Sequence, residues 1–146
     1  MPENYPPPEQ LLPYRPPMLM ICRMMEHGDD YVLAEQVFGD GPFITGDSVP
    51  ALVALELFAQ AAALHVSHAR SGHGEGTPKG ALIGVRQLEL FAPCLPTKQR
   101  LRIEARQVAA IPPAAQYQCM LWQESKSKPL ALGLISVAIG DLPKGT

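Results

Sequence analysis

Hydrophobic and polar positions along the chain predict one long helix. Between Pro50 and Ala69 the interior, ALVALELFAQAAALHVSHA, is rich in strong helix formers and contains no glycine or proline. Apolar residues occupy most of the circumference of this helix, so we expect it to be buried. Asp47 or Ser48 is placed to cap its start, and Pro50 suits the first helical turn.

Strand-like segments flank this helix. Apolar residues in 18–25 and 31–38, on the two sides of the turn sequence HGDD, predict a hairpin. In 99–108 apolar and charged residues alternate with period two, which predicts a strand with one face toward water. Further strands are predicted at 81–91, 115–123 and 130–139. Two strands, one helix and four strands fit an α+β hotdog fold, an antiparallel sheet wrapped around one long central helix.

Chain length and proline content predict the domain limits. The 146 residues fit one domain, and seven prolines fall within residues 2–17. We therefore expect a proline-rich N-terminal arm at 1–17, with one helical turn, a single hotdog domain at 18–140 and a tail at 141–146. An open antiparallel sheet leaves exposed edges, and one helix buries little surface for this length. Both features predict a dimer joined edge to edge.

Composition excludes several classes of function. A formal net charge of -2 and 6% aromatic residues, without a basic stripe, argue against nucleic-acid binding. The longest apolar stretch is interrupted by Glu56, Gln60 and His65, which argues against membrane insertion. The N-terminus lacks the pattern of a secretory signal, and the three cysteines form no CxxC pair. These features predict a soluble, cytoplasmic protein without a metal cluster.

Glu56 is the candidate catalytic residue because it stands in an apolar part of the predicted helix. A buried carboxyl group tends to keep its proton through a raised pKa, and near neutrality it serves as a general acid or base. Gln60, four residues on, lies on the same helix face and can orient it. The alternative is that both residues face solvent on a thin polar stripe.

Two segments resemble bacterial 3-hydroxyacyl-acyl-carrier-protein dehydratases. LLPYRPPMLMI at 11–21 resembles the family sequence L-P-H-R-x-P-x-L-L. PFITGDSVPALVALELFAQ at 42–60 resembles the loop and central helix of the family, M-P-G-V-L-x-x-E-A-x-A-Q. Glu56 matches the catalytic carboxylate, and Gln60 closes the A-Q pair. The chain is most similar to the short branch associated with aryl polyene biosynthesis.

The resemblance implies a dehydratase that converts (3R)-3-hydroxyacyl thioesters of acyl carrier protein or coenzyme A to trans-2-enoyl thioesters. Glu56 would be the acid and Gln60 would orient it, without a metal ion or cofactor. The Ala51 amide would polarise the thioester carbonyl, and the acyl chain would lie in an apolar tunnel at the dimer boundary. The implied substrate-binding residues are Phe43, Val49, Pro50 and Ala51.

One departure from the family concerns the catalytic base. Family members carry a histidine in a G-H-F-P sequence before the helix, where this chain has Gly46-Asp47-Ser48. The base could then be Asp47, or His27 or His65 from elsewhere in a dimer. Asp47 also suits a helix cap.

Two other functions stay open. One is a thioesterase that uses Glu56 as base or nucleophile. The other is a non-catalytic acyl-binding subunit in a heterodimer with an active hotdog partner, as an alternative to a homodimer.

Overall fold

The computed structural model describes residues 5–12, 15–39, 41–70 and 81–138. Two helices are present, α1 (Pro8–Leu11) and α2 (Val53–Arg70). The strands are β1 (Arg23–His27), β2 (Tyr31–Gln36), β3 (Ser48–Pro50), β4 (Ala81–Leu90), β5 (Cys94–Pro96), β6 (Leu101–Ile111), β7 (Ala114–Gln123) and β8 (Pro129–Ala138). The predicted tail at 141–146 and the loop at 71–80 lie outside the described residues.

Six strands form one antiparallel sheet in the order β1-β2-β6-β7-β8-β4. The predicted alternation in β6 is confirmed, because Leu101, Ile103 and Ala105 are fully buried while the residues between them are partly exposed. Helix α2 lies against the buried face and contacts five of these strands. The hotdog architecture predicted from the order of elements is confirmed.

Phe58 of α2 packs directly on Gly133 of β8. A Cβ atom at Gly133 would lie 2.9 Å from two carbons of the Phe58 ring, closer than real Cβ contacts allow. The absent side chain therefore lets the helix approach the sheet closely at this point.

Two predicted boundaries are wrong. Residues 18–22 precede β1 and are not part of a strand, and the backbone N–H groups of Met20 and Ile21 point instead to the side chain of Gln60. Helix α2 begins at Val53, because Ser48–Pro50 forms β3 and pairs with β5, a two-stranded sheet that was not predicted.

The N-terminal arm contributes to the core. Leu11 and Leu12 are buried at 5% and 3% exposure, and α1 contacts α2. One helical turn, as expected for the arm, is present at Pro8–Leu11. The Tyr5 hydroxyl accepts a hydrogen bond from the backbone N–H of His27.

Strand β4 is an edge of the sheet and carries exposed apolar side chains. Its only strand partner in the described part of the chain is β8. Ile83 and Phe91, just after the strand, are each 54% exposed. Leu82, Val85 and Leu90 are also exposed, so an apolar, unpaired edge runs along the length of β4.

Candidate active site

Glu56 lies in the first turn of α2 and is half-buried. Its burial lies between the two arrangements that the sequence left open, a buried carboxyl group and a polar stripe that faces solvent. Because the helix begins at Val53, Glu56 stands in its first turn. The carboxyl group has a defined partner, since the Gln60 side-chain amide donates a hydrogen bond to Glu56 Oε1 at 3.0 Å.

Both the oxygen and the nitrogen of the Gln60 side-chain amide form hydrogen bonds. It is only 2% exposed, and its Nε2 donates to the Met18 carbonyl at 2.6 Å as well as to Glu56. Its Oε1 accepts from the Met20 N–H at 2.9 Å and lies 3.4 Å from the Ile21 nitrogen. The side chain is thereby fixed, and it ties the Glu56 carboxyl group to the backbone of the segment after the arm.

An open groove lies at the start of α2. Residues 50–52 and 90–93 line it, and its volume is about 520 Å³. Its walls are apolar, and Leu52 is 61% exposed beside it. Glu56 follows Leu52 by about one helical turn. The predicted substrate-binding residues Pro50 and Ala51 both line this helix-start groove.

A second cavity, of about 400 Å³, lies beside the arm. Residues 16–17, 19–20, 36–39 and 41–44 line it, and none of them is charged. Phe43 belongs to this arm cavity and not to the helix-start groove. Val49 lines neither, because its side chain is fully buried in the core on β3. The four predicted substrate-binding residues are therefore not brought together.

The structure corrects two predicted roles at the helix start. The Ala51 N–H donates to the Pro93 carbonyl at 3.2 Å, so it is not free to bind a thioester oxygen. Asp47 is not the helix cap, because α2 begins six residues later. Its carbonyl accepts hydrogen bonds from the backbone N–H and the hydroxyl of Thr97, and its side chain is exposed.

The histidines suggested as bases are placed away from Glu56. His65 lies nine residues further along α2, a rise of about 13 Å. It is 3% exposed, and hydrogen-bond partners face both of its ring nitrogens. His27 stacks on His65, with 4.8 Å between ring centroids. Neither imidazole reaches Glu56 within the chain, and the burial of His65 excludes it as a base for a second chain.

The residues that sequence reasoning missed are those of the opposite groove wall. Leu90, Phe91 and Pro93 come from the end of β4 and the turn after it. The available signal was a strand with apolar residues at its end, Leu88 and Leu90, that continues directly into Phe91-Ala92-Pro93. Among the described residues, no group of three or more His, Cys, Asp or Glu side chains is arranged to hold a metal ion. None of the described helices is long and apolar enough to cross a membrane.

Comparison with known families decides what kind of protein carries this site. The profile of the ApeP-like family, described as ApeP dehydratase, matches residues 6–142. The chain belongs to the ApeP-like dehydratase family. This match confirms the resemblance to hotdog dehydratases seen in residues 11–21 and 42–60. It supports dehydration, and not thioester hydrolysis, as the reaction of the family. A search of curated protein sequences finds no significant match.

Solved structures agree with this family in fold. The dehydratase heterocomplex ApeI:P from Xenorhabdus doucetiae contains a chain that matches with a TM-score of 0.86 and 21% identity, covering 94% of this chain and 93% of that one. An uncharacterized protein from Pyrococcus horikoshii matches with a TM-score of 0.68 and 14% identity, covering 94% and 97%. Zebra fish thioesterase superfamily member 2 matches with a TM-score of 0.64 and 12% identity, covering 83% and 82%.

Proposed function

We propose that this ApeP-like chain dehydrates (3R)-3-hydroxyacyl thioesters, carried by acyl carrier protein or coenzyme A, to trans-2-enoyl thioesters. The observation that carries the proposal is the Glu56 carboxyl group, held by the Gln60 amide one helical turn from an apolar groove. Glu56 does not itself line the groove, but it follows Leu52 of the groove wall by about one helical turn, and a carboxyl group held there is suited to act on a substrate with an apolar chain.

The reaction balances with one acid and one base. A base removes the C2 proton, the C2–C3 double bond forms, and the C3–O bond breaks. Protonated Glu56 donates its proton to the departing hydroxyl group, which leaves as water. Gln60 donates to Oε1 of the same carboxyl group, so it keeps that group in one orientation during the proton transfer.

The base comes from a second hotdog chain in this proposal. Three of the four histidines lie in the described residues, and His27, His65 and His68 contact one another near the far end of α2. Asp47 is the candidate within the chain, and its exposed side chain gives it no fixed orientation toward Glu56. An imidazole from a partner, placed across the open groove, completes the acid–base pair without moving either side chain.

The exposed edge of β4 supplies the surface for that partner. Leu90 belongs both to this edge and to the wall of the helix-start groove, and Phe91 follows it in the same wall. A second hotdog chain that pairs with β4 would therefore cover the open side of the groove. Pairing would bury the exposed apolar side chains of the strand and satisfy its free backbone groups.

A turnover assay tests this proposal. The purified chain, alone and mixed with a hotdog subunit that carries the family histidine, is given 3-hydroxyacyl thioesters of acyl carrier protein and of coenzyme A. We expect enoyl thioester from the mixture and its loss in Glu56→Gln. Asp47→Asn and Glu104→Gln, a carboxylate on the sheet face opposite α2, should keep activity within about twofold. Unimpaired Glu56→Gln would refute the role of Glu56, and inactive Asp47→Asn would place the base in this chain.

A non-catalytic acyl-binding subunit is the second candidate. The absence of a described imidazole near Glu56 favours it, because the chain then has half of an acid–base pair. In that case the mixture would form enoyl thioester equally well with wild type and with Glu56→Gln. Leu52→Asp places a charge in the groove. Loss of acyl thioester binding in this variant would then identify the chain as an acyl-binding subunit.

A further inference from the structure

Three imidazoles lie together near the C-terminal end of α2. His27 stacks on His65 with an interplanar angle of 20° and 4.8 Å between centroids. His68 meets the His27 ring edge-on at 4.5 Å. The Tyr5 ring packs edge-on against His68 at 5.5 Å. We call these four rings, with Tyr117 below His65, the histidine clasp.

The clasp joins parts of the chain that are distant in sequence. Tyr5 belongs to the N-terminal arm, and its hydroxyl accepts from the His27 N–H at 3.1 Å. His27 ends β1, and its Nε2 lies 3.0 Å from the His65 carbonyl on α2. Tyr117 comes from β7 at the centre of the sheet, and its hydroxyl lies 2.6 Å from His65 Nδ1.

Hydrogen bonds define the protonation state of His65. Its Nε2 lies 3.2 Å from the Gly28 carbonyl and 3.1 Å from the Asp29 carbonyl. Carbonyl oxygens only accept, so Nε2 carries the ring proton. Nδ1 then accepts from the Tyr117 hydroxyl, and the ring is neutral. A second proton on Nδ1 would reverse this bond, because the Tyr117 oxygen would then accept, and the Tyr117 hydroxyl proton would need another acceptor.

The surroundings of the His65 ring also favour its neutral form. Burial, and then the neighbouring His27, lower the pKa of His65, and the Gly28 and Asp29 carbonyls oppose this only in part. Burial raises the pKa of Tyr117, so its hydroxyl keeps the proton that it donates to His65.

Other titratable groups on the described elements near the clasp include Asp30, Glu26 and Cys119. Asp30 of the β1–β2 turn raises the pKa of His65, but its carboxylate is paired with Arg106 at 3.3 Å. Glu26 of β1 accepts from the Tyr31 hydroxyl. Cys119 of β7 is buried, and its pKa is raised by that burial.

We propose that the histidine clasp is a pH-sensitive lock on the N-terminal arm, closed while its imidazoles are neutral and opened when they take up protons. Charged rings at 4.5–4.8 Å would repel one another, and the hydrogen bond from Tyr117 to His65 would be reversed. Tyr5 would then lose the surface on which it packs. The proposal rests on these contacts and is independent of the proposed dehydratase reaction.

Opening of the clasp has a consequence for the arm cavity. Residues 16–17 and 19–20, after the arm helix, line this cavity, and Gln60 bonds to the backbone of Met18 and Met20. Beyond the clasp, the buried side chains of Leu11 and Leu12 and these bonds of Gln60 hold the described part of the arm. Acidification should therefore loosen the cavity wall that Gln60 connects to Glu56.

Hydrogen–deuterium exchange of the full chain tests the lock. After correction for intrinsic chemical exchange, amides in residues 5–12 should exchange about tenfold faster near pH 5.5 than near pH 7.5, the change that one pKa unit represents. The double variant His27→Phe/His68→Phe keeps the ring contacts and cannot take up protons at those positions. It should show a weaker pH dependence, because only His65 of the clasp then takes up a proton, while His73→Phe, the matched change at the fourth histidine, should keep the full response.

The proposal is overturned if arm exchange in wild type is the same at both pH values, or if the double variant keeps the wild-type response. Circular dichroism checks that the double variant is folded. If the double variant is not folded, NMR titration of the histidine ring protons in the wild-type protein tests the lock instead. The midpoint of the His65 titration should coincide with the loss of arm protection, and a separation of the two by more than about one pH unit contradicts the lock.

Discussion

The Gln60 side-chain nitrogen lies 3.0 Å from Glu56 Oε1, and the same nitrogen lies 2.6 Å from the Met18 carbonyl oxygen. The candidate acid is therefore held by a buried amide whose other contacts are to main-chain atoms. Gln60 thus connects the backbone of the segment after the arm to the carboxyl group.

Gln60→Leu should impair turnover more than substrate binding. Loss of the amide removes the partner of Glu56 and the hydrogen bonds to three backbone groups, so kcat should fall about tenfold to a hundredfold at similar KM. The free energy of unfolding should fall by about 1–3 kcal/mol, measured by urea titration. Gln118→Leu, an exposed glutamine on β7, is the matched control. A change in KM alone would mean that Gln60 does not position the acid.

The contact between Glu56 and Gln60 could be predicted because helical geometry alone brings residues four apart to one face. The alternation in β6 and the central helix were equally readable, since each pattern extends over about ten residues or more. The start of the helix could not be predicted in this way. Pairing of Ser48–Pro50 with Cys94–Pro96, distant in sequence, overrides the local capping pattern around Asp47.

Long-range packing also explains why the rest of the site could not be predicted from the sequence. The groove wall at 90–93 meets 50–52 only after the sheet has formed. Residues 18–22 have the composition of a strand, but the buried Gln60 amide takes up backbone groups that a strand would use. Interactions of single side chains with distant backbone leave no periodic signal.

Gly133→Ala should destabilise the domain. A Cβ atom there would lie 2.9 Å from the Phe58 ring, which has no room to move in the core. We expect a loss of about 1–3 kcal/mol in the free energy of unfolding. Gly84→Ala, on the neighbouring strand, meets only the Ser136 Cβ at 4.0 Å and should change stability little. Equal effects of the two substitutions would show that the helix does not approach the sheet this closely.

Ile83→Lys should weaken association of the chain with a second hotdog subunit, by about tenfold or more in Kd. The substitution places a charge on the exposed edge of β4, where Ile83 is 54% exposed. The control is Ile111→Lys, the same change at a side chain that is 77% exposed at the end of β6. Light scattering after gel filtration measures both. A stronger effect of Ile111→Lys would place the interface elsewhere.

Stability should fall as the solution is acidified through the histidine range. Burial lowers the pKa of His65 in the folded protein. The unfolded chain therefore binds a proton at His65 first, below about pH 6.5, and the stabilisation present above that pH is lost progressively as pH falls further. Urea unfolding at a series of pH values measures this. His65→Gln keeps a donor and an acceptor but no titrating ring, so its profile should be flatter; an unchanged slope would assign the effect to other groups.

The most direct test of the central claim compares two leaving groups. A 3-hydroxyacyl thioester needs a proton on its hydroxyl group, whereas a 3-chloroacyl thioester loses chloride without one, and both need the same C2 base. With the completed dimer, Glu56→Gln should slow dehydration by about 10²–10⁴-fold and leave chloride elimination within a few-fold of wild type. Equal losses for both substrates, or no loss for the hydroxyl substrate, would contradict the assignment of Glu56 as the acid.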